Sequence, residues 1–236
     1  MNGLGRFFGV GVGPGDPELL TLKALRVLQE SPVICMPKKG EHSRSYALSI
    51  VSSYLDPARQ ELLELVFPMK RDLDLLPTYW RAATDEIIVR LRAGRDVAFI
   101  TEGDPLLFGT FIYVYDLLRQ AEPSVAIEIV PGVSSVNASA ASALLPLATT
   151  SDRLAIVPAS YALEELSDIL QRFDTVVLLK VNDVFDRVLD ILESLSLTDR
   201  AVYVRRCTSP QEEIVRDVRT LRGQKLDYLS QVIVRK

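Results

Sequence analysis

Three short segments carry the residues whose types and spacing can do chemistry. The first is Gly9-Val10-Gly11-Val12-Gly13-Pro14-Gly15-Asp16-Pro17. Glycines at alternate positions remove Cβ atoms, so a ligand can approach the main chain closely. Asp16 can cap a following helix whose first residue is Pro17. The second segment is Glu102-Gly103-Asp104-Pro105-Leu106-Leu107-Phe108-Gly109, where two carboxylates flank a glycine. Such groups can accept hydrogen bonds from a ribose, an amine or a substrate N–H. The third is Val130-Pro131-Gly132-Val133-Ser134-Ser135, whose hydroxyls can cap a helix and meet a ligand at once. Each segment also has a plain structural reading. Glycine-rich turns need no ligand, Asp104 can simply cap a helix beginning at Pro105, and capping alone accounts for the serines.

Phosphate chemistry fits poorly. The opening segment departs from G-x-G-x-x-G, because Asp16 stands where the third glycine belongs, and no Gly-Lys-Ser/Thr follows as in a P-loop. A dinucleotide site asks for an acidic residue near the end of the second strand to hold the ribose. Here that strand ends Met36-Pro37-Lys38-Lys39. The remaining dinucleotide reading is an NADP-dependent oxidoreductase in which Lys38 and Lys39 grip the 2′-phosphate.

The elements that must position these loops are legible from periodicity. Short runs rich in Val and Ile predict strands at Arg6–Val12, Pro32–Met36, Glu61–Val66, Asp96–Thr101, Ala126–Val130, Arg153–Pro158, Thr175–Leu179, Ala201–Arg205 and Ser230–Val234. Between them apolar residues recur at helical spacing: Leu20, Ala24, Val27 and Leu28, then Trp80, Ala83, Ile87 and Leu91, then Phe185, Val188, Leu189 and Leu192. This alternation predicts an α/β chain with mainly parallel sheets covered by helices. The pattern breaks at Leu145–Asp152, which places a boundary between a first domain, 1–146, and a second, 147–236. Ile129–Ser151 holds no charge, yet Pro131, Gly132 and Pro146 interrupt it. It reads as a strand end, a turn and a small-residue helix, not as a membrane span.

Bulk properties narrow the classes. The chain has 236 residues, 48% hydrophobic and 25% charged, with a formal net charge of -4. That balance argues against a dedicated nucleic-acid binder. Cys35 and Cys207 form no metal-type cluster with the single His42, so no metal site is expected. No basic stretch followed by an apolar run opens the sequence. The expectation is a cytoplasmic protein with reduced thiols and no membrane partner.

Taken in order, the three loops resemble the tetrapyrrole methylase family. Val10–Thr21 matches its opening Val-Gly-x-Gly-Pro-Gly-Asp-Pro-x-Leu-Leu-Thr, then come a Gly-Asp-Pro loop and a Pro-Gly-Val-Ser-Ser turn. Within the family the chain looks most like the branch that methylates C20 of precorrin-2. The matching stretches are Glu102–Phe111, Val130–Ala148, Arg153–Ala159 and Val177–Lys180. The resemblance implies two α/β domains with the ligand cleft between them, a homodimer, S-adenosylmethionine as cofactor and a tetrapyrrole substrate. By matching position it implies cofactor contacts at Pro14, Glu102, Gly103, Asp104, Leu107, Ser134, Ser135, Lys180, Cys207 and Thr208. Relatives often carry Met or Leu at the place of Lys180 and a small residue at that of Cys207.

A sulfonium donor carries no phosphate, so a glycine loop without a basic residue suits it. The acceptor ring is rich in carboxylates, which makes Lys38, Arg44 and Arg71, with Tyr113, the candidate substrate contacts. After transfer the acceptor carbon must lose a proton. His42, Glu102, Tyr113 or water can take it, and the sequence assigns no catalytic residue. A valine at Gly103 is expected to block the ligand and leave the fold intact. Alternatives are a family member acting on uroporphyrinogen III or a later corrin intermediate, the oxidoreductase above, and a sensor that binds without turnover.

Overall fold

The computed structural model describes residues 3–40, 42–68 and 76–236. Arg71 lies outside them. In chain order the elements are β1 (Phe7–Gly11), α1 (Leu22–Glu30), β2 (Val33–Lys38), α2 (Tyr46–Val51), β3 (Glu61–Val66), α3 (Leu76–Arg92), β4 (Val97–Thr101), α4 (Phe111–Ala121) and β5 (Ile127–Val130). There follow α5 (Ser135–Ser142), β6 (Leu154–Pro158), α6 (Ala159–Ala162), α7 (Leu166–Arg172), β7 (Thr175–Leu179), α8 (Phe185–Ser194), β8 (Ala201–Arg205), β9 (Glu213–Val215) and β10 (Ser230–Arg235). The chain divides into two compact units, Met1–Ser134 and Ser135–Lys236.

The first unit is a parallel sheet in the order β3-β2-β4-β1-β5. Side chains of successive strand residues go to opposite faces, and both faces are buried. Phe7, Val33, Cys35, Val97 and Phe99 pack with Ile87 and Leu91 of α3 and Phe111 of α4. Phe8, Val10, Ile34, Met36, Ala98 and Ile100 pack with Val27 and Leu28 of α1 and Ile50 of α2. Cover on both sides explains why the inner strands β1, β2 and β4 read as apolar runs, while the edge strands β3 and β5 carry Glu61, Glu64 and Glu128.

The second unit follows the sequence expectation less closely. Its sheet runs β6-β7-β10-β8-β9, and only β6 and β7 are parallel. β10 pairs antiparallel with both β7 and β8, and β8 pairs antiparallel with β9. The expected mainly parallel sheet therefore holds for the first unit alone. The links β8–β9 and β9–β10 contain no α-helix to form a parallel crossover. The three-residue strand β9 was too short to leave a periodic signal.

The expected boundary at Pro146 also differs from the observed division at Ser134. The reason is where α5 makes its hydrogen bonds. Gln231 Nε2 donates to the Ser135 carbonyl at 2.7 Å, Ser142 Oγ to Glu212 at 2.7 Å, and Arg216 Nη2 to the Ala143 carbonyl at 2.9 Å. Arg235 donates to the carbonyl of Pro146. The small-residue helix thus belongs with the sheet of the second unit, running alongside β10.

Three loops meet above the carboxyl ends of β1, β4 and β5, main chain against main chain. Val12 N donates to Thr101 O at 3.0 Å and Gly103 N to Gly13 O at 2.8 Å. A Cβ at Gly132 would lie 2.1 Å from the Gly103 carbonyl oxygen, and one at Gly11 would lie 2.6 Å from Gly132 N. These glycines are required by the packing of loop on loop. Gly103 has φ +65°, a conformation in which a β-branched residue is strained. A valine there therefore strains the layer itself, and the expectation that it spares the fold is withdrawn.

The Asp104 carboxylate clasps this layer. One oxygen accepts from Leu106 N at 2.9 Å and the other from Gly132 N at 3.1 Å. It caps no helix at Pro105, since α4 begins at Phe111. Asp16 does act as expected, accepting from Glu18 N as the cap of a 3-10 turn at Pro17–Leu19. Gly132→Ala is expected to lower unfolding free energy by about 1–3 kcal/mol through overpacking, read from denaturant midpoints at unchanged slope; an unchanged midpoint would mean the loops part freely. Asp104→Asn turns an amide N–H₂ toward one of the two N–H donors, and should destabilise by about 1–3 kcal/mol on the same measurement.

Candidate functional site

In the first unit, the candidate cofactor residues gather on the glycine layer. Pro14 is buried, and its carbonyl lies 3.5 Å from the Tyr46 hydroxyl. Glu102, Gly103, Asp104 and Leu107 follow β4, and Ser134, 8% exposed, follows β5. Phe108 closes the second loop with φ +53° while keeping 42% of its surface exposed. A bulky non-glycine residue in that region costs on the order of 1–3 kcal/mol and persists only where its surroundings impose it.

In the second unit the same signature recurs at the carboxyl ends of β7 and β8. Lys180 has φ +57°, Arg206 +43° and Thr208 +64°. Lys180 and Thr208 are candidate cofactor residues, and Cys207, a third, lies between Arg206 and Thr208. The Arg206 guanidinium is anchored on Asp227 at 2.7 Å. Burial tends to raise the Asp227 carboxyl, but Arg206 and the N–H of Leu229 outweigh it and hold it below the usual carboxylate range. Lys180 Nζ stands 5.7 Å from the Tyr228 ring centre, within the range of a cation–π contact. Thr208 N donates to Glu212.

Cys207 is buried, with Sγ 3.9 Å from the Ser135 carbonyl oxygen. Burial pushes its thiol pKa up, and the neighbouring Ser139 hydroxyl only partly offsets this. The group is therefore a neutral thiol at physiological pH, not a nucleophile. Cys35 is pushed further up by complete burial in the first unit's core.

The substrate candidates scatter. Lys38 Nζ pairs with Glu64 at 2.7 Å, so its charge is already balanced and suits a 2′-phosphate grip poorly. Arg44 and His42 are exposed on the segment before α2. Tyr113, 46% exposed, stacks on Trp80 with ring centres 3.9 Å apart. Sequence reasoning missed Gln231 and Ser139, two buried polar residues beside the Ser135 carbonyl. The only trace was a glutamine opening the apolar run Val232-Ile233-Val234.

The donors and acceptors on the three glycine-bearing loops of the first unit are backbone groups, serine hydroxyls and the carboxylates of Asp16, Glu102 and Asp104, the last held by two N–H groups, with no Lys or Arg from Gly9 to Pro17. That set fits a ligand without phosphate. Among the described residues no helix is long and apolar enough to cross a membrane, and no group of His, Cys, Asp and Glu could hold a metal ion.

Comparison with known proteins accords with this chemistry. The family model for tetrapyrrole (corrin/porphyrin) methylases matches residues 6–221. A probable cobalt-precorrin-2 C(20)-methyltransferase of Methanocaldococcus jannaschii is 38% identical over 212 residues, covering 89% of this chain and 86% of that protein. The cobalt-precorrin-2 C(20)-methyltransferase of Salmonella typhimurium is 33% identical, covering 98% and 97%. Among solved structures, the uroporphyrin-III C-methyl transferase of Thermus thermophilus complexed with S-adenosylhomocysteine superposes with a TM-score of 0.70 at 26% identity, covering 98% of this chain and 92% of that one. With loops, fold and matched length in agreement, the chain belongs to the tetrapyrrole (corrin/porphyrin) methylase family, whose members are S-adenosylmethionine-dependent C-methyltransferases.

Proposed function

We propose that this chain methylates C20 of a precorrin-2-type ring in cobalamin biosynthesis, working as a cytoplasmic homodimer. The observation that carries the reading is near full-length likeness to two relatives that are both named for that same carbon. Both are also named for the cobalt complex, which makes cobalt-precorrin-2 the preferred acceptor.

S-adenosylmethionine supplies a methyl group on a positively charged sulfur, and that charge disappears as the methyl leaves. The chain's task is then alignment and exclusion of water. A bare carboxylate beside the sulfur would hold the charged ground state more tightly than the transition state. Asp104 avoids this, since each oxygen is occupied by a backbone N–H. We assign cofactor binding to Pro14, Glu102, Gly103, Leu107, Ser134 and Ser135, with Asp104 shaping the loop, and to Lys180, Cys207 and Thr208. Cys207 contributes through its backbone, because its thiol is turned to the Ser135 carbonyl.

The acceptor's carboxylates are shared among several cations, of which exposed Arg44 is the testable one. Each charged hydrogen bond contributes roughly 1.5–3 kcal/mol, or about 10- to 150-fold in affinity. Arg44→Ala should therefore raise KM for the ring by that factor with kcat nearly unchanged, since this binding is common to ground and transition states. A collapse of kcat at constant KM would instead make Arg44 an aligner of the acceptor carbon. The reaction itself is tested by incubating the chain with methyl-labelled S-adenosylmethionine and precorrin-2, with and without cobalt, and locating the label by NMR. Label at C20 is expected, faster with cobalt. Label on another carbon, or transfer only to uroporphyrinogen III, overturns the proposal.

A further inference from the structure

Gln231 occupies a place in the second sheet where an aliphatic side chain is expected. Its register partners are Leu179 on β7 and Val204 on β8, and Ile233 follows it on the same face. All three neighbours are buried, and Gln231 itself is 3% exposed. Because β10 runs antiparallel to β7 and β8, its first residues lie beside their carboxyl ends, level with Lys180 and Cys207.

The side-chain amide is committed on one side and empty on the other. Nε2 donates to the Ser135 carbonyl at 2.7 Å, while Oε1 is buried without a hydrogen-bond partner. Reversing the amide would set Oε1 against the Ser135 carbonyl oxygen, so the orientation is fixed by the bond that exists. The Cys207 thiol approaches the same carbonyl at 3.9 Å. Two side chains from two different segments thus converge on the first residue of α5. A leucine here would satisfy the packing and leave no orphaned acceptor, which by itself destabilises the fold.

We infer that Gln231 is a positioning residue for cofactor binding: its amide pins Ser135, and with it the Ser134–Ser135 turn, in the place where the turn meets S-adenosylmethionine. This rests on the assignment of that turn to the cofactor made above. Loss of the pin frees the start of α5 and weakens cofactor binding. It does not weaken the fold, because the orphaned Oε1 is removed along with the bond.

The test uses Gln231→Leu and, with an unbranched side chain of matching length, Gln231→Met. Calorimetric titration with S-adenosylhomocysteine should show affinity reduced about 5- to 10-fold, the worth of one neutral hydrogen bond. KM for S-adenosylmethionine should rise likewise with kcat changed less than about 2-fold, and the ligand-free melting temperature should hold or rise. Unchanged affinity in both variants overturns the inference. So does a loss of affinity accompanied by a fall in ligand-free melting temperature, which would make Gln231 a packing residue only. Wild-type protein that fails to bind S-adenosylhomocysteine overturns the functional reading and this inference together. Wild-type binding with unaltered variants overturns the inference alone.

Discussion

The contact on which the rest of the first unit depends is main chain against main chain. Gly11, Gly103 and Gly132 come from three loops far apart in sequence; a Cβ on Gly11 or Gly132 would collide with the Gly103 carbonyl, and Gly103 itself takes a left-handed φ. Hydrophobic burial brings β1, β4 and β5 side by side, but it leaves open how the loops beyond them stack. The glycines let the loops touch, and the Asp104 carboxylate fixes the stack by receiving an N–H from its own loop and another from the next. Every candidate cofactor residue of the first unit sits on or beside this layer.

Six residues other than glycine take left-handed backbone conformations among the described residues: Leu144 and Ser196 follow helices, and the other four follow strands. Phe108, Lys180, Arg206 and Thr208 all take positive φ, and all lie just past the carboxyl ends of strands. Strain of this kind is maintained by surrounding structure. Here the anchors are visible: Arg206 on Asp227, and the N–H of Thr208 on Glu212. The left-handed residues change the direction of the chain within one step, while the N–H groups of Lys180 and Arg206 still bond to the carbonyls of Ser230 and Leu229. Loops built so are suited to holding a ligand through main-chain atoms, with side-chain identity left comparatively free.

Much of this was legible in the sequence, and the parts that were not share a cause. The β1–β5 strands were readable as short runs rich in apolar residues, and the α1, α3 and α8 faces by their helical period, because burial selects residue type. The three loops were readable because glycine and proline mark positions by necessity. The division near Ser134 was hidden, since the bonds tying α5 to Glu212, Arg216 and Gln231 span about 70 residues or more along the chain. Direction within the second sheet was hidden too, because an apolar strand reads alike whether its neighbours run with it or against it. Asp104 illustrates the limit well. A carboxylate before proline suggests a cap, and only the fold reveals that its second oxygen belongs to Gly132.

The placement of β10 bears on how the molecule comes into being. It is the last strand of its sheet to be made, yet it sits at the middle, flanked by β7 and β8. On a ribosome the first unit has all its strands once β5 has emerged, and it can close while synthesis continues. The second unit has no such early start. Until β10 arrives, β7 and β8 present open edges with unpaired backbone groups, the kind of surface on which nascent chains associate wrongly. The two halves of the protein are therefore born under different conditions, one folding as it appears and the other waiting to be sealed.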